Sequence, residues 1–559
     1  MGFLLPLFLF VAYLYGVSAQ GPSTYATIIV KSAAKIAETD DQFICATLDW
    51  WPSDKCNYND CPWGNSTVPY LDLSHPILAK AIQAFDHLRI RIGGSLQDHV
   101  VYDVGTLKYP CHPFKKIDEE IFKFSEGCLH MNRWDELNHL FNKTGAIVTF
   151  GLNALYGRHK IKGLAWGGGS AWGGAWDSSN AHEFINYTVS KGYHIDSWEL
   201  GNELSEPGIG ASVGAEQYGK DMIELNVIIN EIYKNSHSRP LILAPGGFFN
   251  ASWYAKLLEV SGSNVVNVLT HHLYNLGPGN DTRLVNKILD PHYLSNGTFS
   301  TYISNGTSDT FKKLQQTIKN HGPWASAWVG ESGGAYNSGG RDVSNTFVYS
   351  FWYLDILGMA SKYNTKVYCR QTLIGGNYGL LNRTTFVPNP DYYSALLWHR
   401  LMGKGVLDVD SKASAHLRVY AHCSKSRAGI TVLLINLSRK TSFKILVQND
   451  MNINLHVKEK NHKGGHKGRS LADFVNKSVP LIERKASDVT AQKEEYHLSP
   501  DGHLRSQRML LNGKPLQLTK AGDIPTLDPV FSDVTSPISI APLSIAFIVL
   551  PQFVAPACV

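Results

Sequence analysis

The chain has 559 residues, 43% of them hydrophobic and 11% aromatic, so it is too long for one small domain and apolar enough for a sizeable core. Its net charge is only +5. Most of that excess is local, because Lys458, Lys460, Lys463, Lys467 and Arg469 stand against Glu459 alone between His456 and Ser470. A nearly neutral remainder argues against nucleic acid as the main partner.

The N-terminus, MGFLLPLFLFVAYLYGVSAQ, is apolar and ends in Val17-Ser18-Ala19. It reads as a signal peptide over 1–19, and Pro6 and the short span argue against a membrane anchor. Tyr25 to Lys31 is a short β-like run. A series of strand-like segments follows: Phe43 to Asp49, Leu88 to Ser95, Ala146 to Asn153, Ser197 to Glu203, Leu241 to Gly247, Val265 to Tyr274, Ala327 to Glu331 and Lys366 to Gln371. Helical patterns lie between them. Glu216 to Tyr233 carries apolar residues at Met222, Ile223, Val227, Ile228 and Ile232, and Asn345 to Ala360 and Tyr392 to Met402 are apolar throughout. Strands alternating with helices over 43–402 predict a (β/α)8 barrel enlarged by insertions.

Beyond Gly403 short β runs separated by turns predict an antiparallel β-sandwich over 403–559. A polar, Lys- and His-rich insertion at 455–508 reads as a solvated loop. The apolar run Ala541 to Val559 is broken by Pro542, Pro551 and Pro556 and reads as a final sandwich strand. Ten Asn-x-Ser/Thr sequons, at Asn65, Asn142, Asn186, Asn250, Asn280, Asn296, Asn305, Asn382, Asn436 and Asn476, fit a glycosylated secretory protein, some of them as chance matches. The eight cysteines fit an oxidising compartment. Cys56 with Cys61, and Cys111 with Cys128, are candidate pairs, and neither spacing is that of a zinc site.

Polar residues gather at the C-terminal ends of the strands, where barrel active sites are built. Two of these ends, in SWELGNELSE and AWVGESGGAY, carry the lone carboxylates Glu203 and Glu331. A carboxylic acid that protonates a leaving oxygen and a carboxylate that attacks the anomeric carbon are what glycosidic hydrolysis requires. Asn202 beside the acid can donate to a sugar 2-hydroxyl. Glu199, inside the strand, and Glu206, in the loop beyond it, rank below Glu203.

WELGNE, WVGESGGAY, SNTFVYSFWYLDILG and GGNYGLLN together resemble glycoside hydrolase family 79, in its plant heparanase-like and baicalin β-glucuronidase branch. The resemblance implies a barrel whose companion sandwich takes up the mature N-terminal strand, 20–42, and retaining action on β-glucuronides without cofactor or metal. It implies Glu203 as proton donor, Glu331 as nucleophile and Asn202 as the 2-hydroxyl contact. Arg91 falls where a cation lies near the nucleophile, and Asp49 and Ser95 fall where sugar hydroxyls are held. Tyr336 and Tyr378 fall near the uronate carboxylate. His272, ending the sixth strand, is counted with the substrate-binding set. Cys423 and Cys558 match a disulfide.

Three features depart from the pattern: Asn337-Ser338 in place of Gly-Gly, Leu273 in place of a Tyr, and no basic cluster after the fifth strand. They favour a less sulfated glucuronide over heparan sulfate. The expected protein is a monomeric enzyme of the secretory pathway, secreted to the cell wall or held in a vacuole or lysosome, with peripheral membrane association allowed. Its expected substrates are glucuronides or arabinogalactan-type glycans. The alternatives are endo action on an acidic polysaccharide and a non-catalytic carbohydrate-binding wall protein.

Overall fold

A computed structural model describes residues 23–107, 110–118, 120–166, 169–205, 209–296, 306–451 and 491–559. The signal-peptide reading, the lysine-rich stretch, Glu206, Asn305 and Asn476 lie outside the described residues.

Eight parallel strands close into a barrel. In chain order they are Ile44–Asp49, Arg89–Gly93, Ile147–Leu152, Ser197–Leu200, Leu241–Phe248, Val268–His272, Ser326–Ser332 and Thr365–Arg370, and neighbours in sequence are neighbours in the barrel. These are the eight segments read from the sequence. Side-chain alternation sorts each strand between the barrel axis and the surrounding helices. In the second strand Ile90 and Ile92 join the large core under the helices, while Arg89 faces inward over the Trp328 ring. In the fourth strand Trp198 packs on Phe150 and Phe184, while Ser197 bonds Thr149 of the adjacent third strand.

The helix Ala215–Ile232 buries Met222, Leu225, Ile228 and Ile229. Ile223 and Val227, counted in its apolar stripe, are exposed. The helix Phe347–Lys362 is buried from Phe347 to Ser361 because it is packed on two sides. Its Asp355 accepts hydrogen bonds from Arg418 and Tyr420 of the second domain, and Gly358 admits the Tyr420 ring where a Cβ would lie 2.4 Å from it.

The second domain is one curled sheet of eleven strands, with its own buried cluster around Ile28, Val432, Ile445 and Ile548. The N-terminal strand, Ser23–Glu38, lies inside this sheet, antiparallel to Met402–Ser411 and parallel to Ser442–Asn449. All other pairings in the sheet are antiparallel.

One expectation is corrected here. The insertion read as a loop over 455–508 contains a strand, Gln492–Pro500, paired with Ser544–Leu550. Its polar composition hides the period. Tyr496 and Leu498 are buried, and the buried Lys493 ammonium is satisfied by the carbonyls of Asp533 and Ser536. The apolar C-terminal run does supply a final strand of the sheet, Ser544–Leu550, entered through a turn with Leu543 at positive φ.

All eight cysteines are paired. Cys56–Cys61, Cys111–Cys128 and Cys423–Cys558 are as expected. The fourth disulfide, Cys45–Cys369, was not foreseen: it staples the first barrel strand to the eighth at directly opposed residues. It closes a 324-residue loop, so replacing both cysteines by serine is expected to cost about 2–4 kcal/mol. A thermal melt of the C45S/C369S protein checks this, and an unchanged Tm would mean the barrel closes without the staple.

Candidate active site

Arg91, 1% exposed, stands at the centre of the barrel mouth. Its Nε donates to Glu199 at 2.6 Å, its Nη1 to Glu331 at 3.0 Å and its Nη2 to the Asn202 side-chain oxygen at 3.0 Å. Glu199, wholly buried, is thus a structural counter-ion of Arg91 rather than a rival to Glu203. The second oxygen of Glu331 accepts from the Tyr274 hydroxyl at 2.6 Å. Burial, and then the charge of Glu331, push the Tyr274 phenol well above its ordinary range, so it remains a donor.

Two local devices aim the glutamates. Strict alternation in Ser326–Ser332 would put Trp328 and Gly330 inward and Glu331 outward. A register shift against the sixth strand, between His271 and His272, sets Glu331 opposite His272 and turns it to the axis. Glu203 lies beyond the end of its strand in a turn where Gly201 has φ 69° and Glu203 itself φ 57°. Such a backbone is costly for a residue with a Cβ. It is held by Glu203 N–H to Gly246 O at 2.7 Å and by the buried Asp98, whose oxygens accept the N–H groups of Asn202 and Ala154 at 2.7 Å each.

The two carboxylates differ in surroundings. Burial pushes the Glu203 carboxyl up to about 7, partly opposed by the Arg91 charge. Its Oε1 is 2.9 Å from His272 Nδ1, and burial lowers that imidazole to about 4, so it is neutral. Glu203, His272 and Glu331 each place a ligand-type atom within 4.8 Å of the others. A metal ion there would have to displace Arg91 and Tyr274 from Glu331 and break the Glu203–His272 bond, so the set does not fit a metal as it stands. A second such set, Asp103, Cys111, Cys128 and His130, has both sulfurs in a disulfide.

Asp49 is buried at the end of the first strand, and burial, then the Glu331 charge, raise it well above the usual carboxylate range. Gly94, at φ 99°, makes room for it, since a Cβ there would lie 2.1 Å from its Oδ1. Gln371 bonds Asp49 and also donates to the Tyr378 hydroxyl at 3.4 Å. Tyr378 is therefore in the ring of groups around Glu331. Ser95 is half-buried in the turn after the second strand. Tyr336 is half-buried on a short strand paired with Gly277–Pro278, its phenol near Tyr58, Lys287 and Tyr293. Asp49 Oδ2, Asn202 Nδ2 and His272 Nε2 are buried without a partner among the described residues. Unpaired buried polar atoms gathered around two acids suit a polyhydroxylated ligand.

Sequence reasoning missed Tyr274 and Asp98 as members of the site, and it placed Gln371 at a strand end without giving it a role. Tyr274 could have been found by its own place near a strand end. Asp98 carries no such signal, because its partners are backbone groups distant in sequence. One sequon call is corrected. Asn436 is fully buried and its amide donates to the Thr441 and Ala541 carbonyls, which leaves no room for a glycan. Asn65, Asn142, Asn186, Asn280 and Asn296 are exposed, and Asn250 and Asn382 half-buried.

A closed parallel barrel with two buried glutamates facing each other across its mouth is a framework for breaking glycosidic bonds. Residues 25–358 match the model of glycosyl hydrolase family 79, N-terminal domain. The chain is 61% identical to heparanase-like protein 2 of Arabidopsis thaliana, over 95% of each chain. It is 39% identical to baicalin-beta-D-glucuronidase of Scutellaria baicalensis, over 94% of this chain and 92% of that one. Among solved structures, a 4-O-alpha-L-rhamnosyl-beta-D-glucuronidase from Fusarium oxysporum 12S shares the fold, with a TM-score of 0.58 at 14% identity, covering 94% of this chain and 100% of that one. The chain belongs to glycoside hydrolase family 79, and it is a glycosidase. No described helix is long and apolar enough to cross a membrane.

The Glu203 environment has a consequence for stability. The native state keeps a proton that the unfolded chain, with an ordinary value of 4.5, releases. The stability this contributes is full below about 4.5 and is lost as pH rises through about 7, by up to about 3 kcal/mol. Glu203→Gln mimics the protonated form without titrating. Its Tm advantage over the wild type is expected to grow from pH 4.5 to pH 8; a difference independent of pH would contradict the assignment.

Proposed function

We propose that this glycosidase is a retaining β-glucuronidase in which Glu203 is the general acid/base and Glu331 the nucleophile. The observation that carries the reading is the contrast between two carboxyls within 4.8 Å of each other. Glu203 is raised to about 7 and so holds a proton to give. Glu331 is braced by Arg91 and Tyr274 with its oxygens toward the axis. Carboxyls about 5 Å apart leave no space for a water between the second carboxylate and the anomeric carbon, which favours direct attack.

In the first step Glu331 bonds to the anomeric carbon as the bond to the leaving oxygen breaks, and Glu203 passes its proton to that oxygen. In the second, water attacks the glycosyl ester, Glu203 takes the proton of that water and Glu331 is released. Arg91 Nη2 holds the Asn202 oxygen, which directs the unpaired Asn202 Nδ2 to the 2-hydroxyl, a contact that strengthens in the transition state.

Glucuronic acid as the sugar is supported by the baicalin-beta-D-glucuronidase relative. It is also supported by the turn after Tyr336. Asn337, Ser338 and Gly339 have φ of 57°, 71° and 77°, the left-handed backbone that glycine favours, taken here despite the side chains. Successive N–H groups in such turns form anion-binding concavities. The substrates proposed are small glucuronides or wall glycans such as arabinogalactan-type chains. Passage through the secretory pathway, to the wall or a vacuole, is supported by four disulfides and the exposed sequons.

Assays with aryl β-glucuronide, β-glucoside, β-galactoside and β-xyloside test the sugar: turnover of the glucuronide alone is expected. Glu331→Gln should abolish it in a protein that still folds; near-normal activity would sink the nucleophile assignment. Glu203→Gln should lose about 10²–10⁴-fold with poor leaving groups, which need the acid; with a good leaving group, where the second step limits, azide should restore turnover by attacking in place of the water that Glu203 activates. The rate should fall as pH rises through about 7, where Glu203 loses the proton it must donate. Tyr274→Phe removes one donor to Glu331 and should lower kcat by about tenfold or more.

A further inference from the structure

We infer that the Cys56–Cys61 clip closes the barrel mouth on the glycone side and restricts the enzyme to unsubstituted terminal sugars. The inference rests on the glycosidase mechanism above and deepens it, from the linkage cleaved to the place in a glycan where cleavage occurs.

The clip is a small hairpin in the loop after the first barrel strand. Asn57 and Asp60 exchange backbone hydrogen bonds of 2.8 and 2.9 Å, with Tyr58 and Asn59 at positive φ between them and the disulfide across the base. It is pinned to two other mouth loops. Asn337 donates to the Tyr58 hydroxyl at 2.9 Å and Ser338 to Asn57 at 2.8 Å, from the loop that follows Glu331. Asn377 donates to Asp60 at 3.2 Å, from the loop after the eighth strand. Beneath the clip Trp63 donates to Ser338 at 3.0 Å and stands edge-on to Tyr378, whose surroundings include Asp49 and Glu331.

The loops of strands seven, eight and one are thereby stitched into one wall. The fourth strand, with Glu203, lies on the opposite side of the barrel. Glu203 must reach the leaving oxygen, so the aglycone occupies its side. The anomeric carbon and the 4-carbon are opposite corners of a pyranose, so the 4-hydroxyl points away from Glu203 and toward the wall. A sugar attached there would have to occupy the space of the clip. Neither the clip nor its pins touch a group that handles protons, so their effect is on which substrates enter.

The test compares an aryl β-glucuronide with the same compound carrying a second sugar on its 4-hydroxyl. The wild type should hydrolyse the capped compound about 100-fold less efficiently in kcat/KM; values within about threefold of each other would overturn the inference. In the N57A/Y58A protein, two pins are lost from the clip side. Because the pinned turn also faces the uronate, the readout is the ratio of capped to uncapped kcat/KM, which should rise about tenfold; an unchanged ratio in a protein that melts as the wild type does also counts against it. Should the aryl glucuronide be inert while another aryl glycoside is cleaved, the sugar assignment fails, and the capped and uncapped forms of that sugar decide the wall separately.

Discussion

The site depends on one buried cation. The Arg91 guanidinium has left water entirely, which is tolerable only because its fork meets Glu199, Glu331 and Asn202 at once. Each partner gains a fixed position from it. Glu199 supplies balancing charge from below, Glu331 is oriented toward the axis, and Asn202 has its oxygen occupied so that its amide nitrogen faces outward. A lysine has the charge and three donors, but they radiate from one atom, whereas the planar fork reaches Glu199, Glu331 and Asn202 from three separate nitrogens.

Against that centre the two glutamates are differentiated by their neighbours rather than by their chemistry. Glu331 lies in the fork and receives a second donor from Tyr274. Glu203 sits beyond the strand end, beside a neutral histidine, where burial outweighs the pull of Arg91 and keeps the proton on. The cost is a left-handed backbone at Glu203, sustained by Asp98 and Gly246. The difference between the two carboxyls is therefore produced by strain and desolvation placed a few ångströms from a compensated charge.

The mouth is finished by segments remote in sequence. The disulfide clip after the first strand, the turn after Glu331 and the Gly376-Asn377 loop have no fixed relation until the barrel closes and brings strands one, seven and eight together. Asn337 and Ser338, which stand where the family resemblance expects a glycine pair, take positive φ and use their side chains to hold the clip. A change that looks like a loss of recognition in one dimension is a tether in three.

The eight strands were legible in the sequence, because each is an apolar run of barrel length between helical patterns, and two glutamates stood out because each ends such a run. The sequence did not yield the strand Gln492–Pro500, whose buried lysine is satisfied only by carbonyls brought in from Asp533 and Ser536. It could not assign Glu199 as a counter-ion or bring in Tyr274 and Asp98, since those roles exist only relative to Arg91 and to the turn before Glu203. Nor could a period of two aim Glu331: alternation from Trp328 points it outward, and the register shift against the sixth strand turns it in. Composition and spacing specify which residues are available. Closure of the barrel, by bringing distant strand ends within hydrogen-bond reach and removing water from between them, decided which carboxyl keeps its proton.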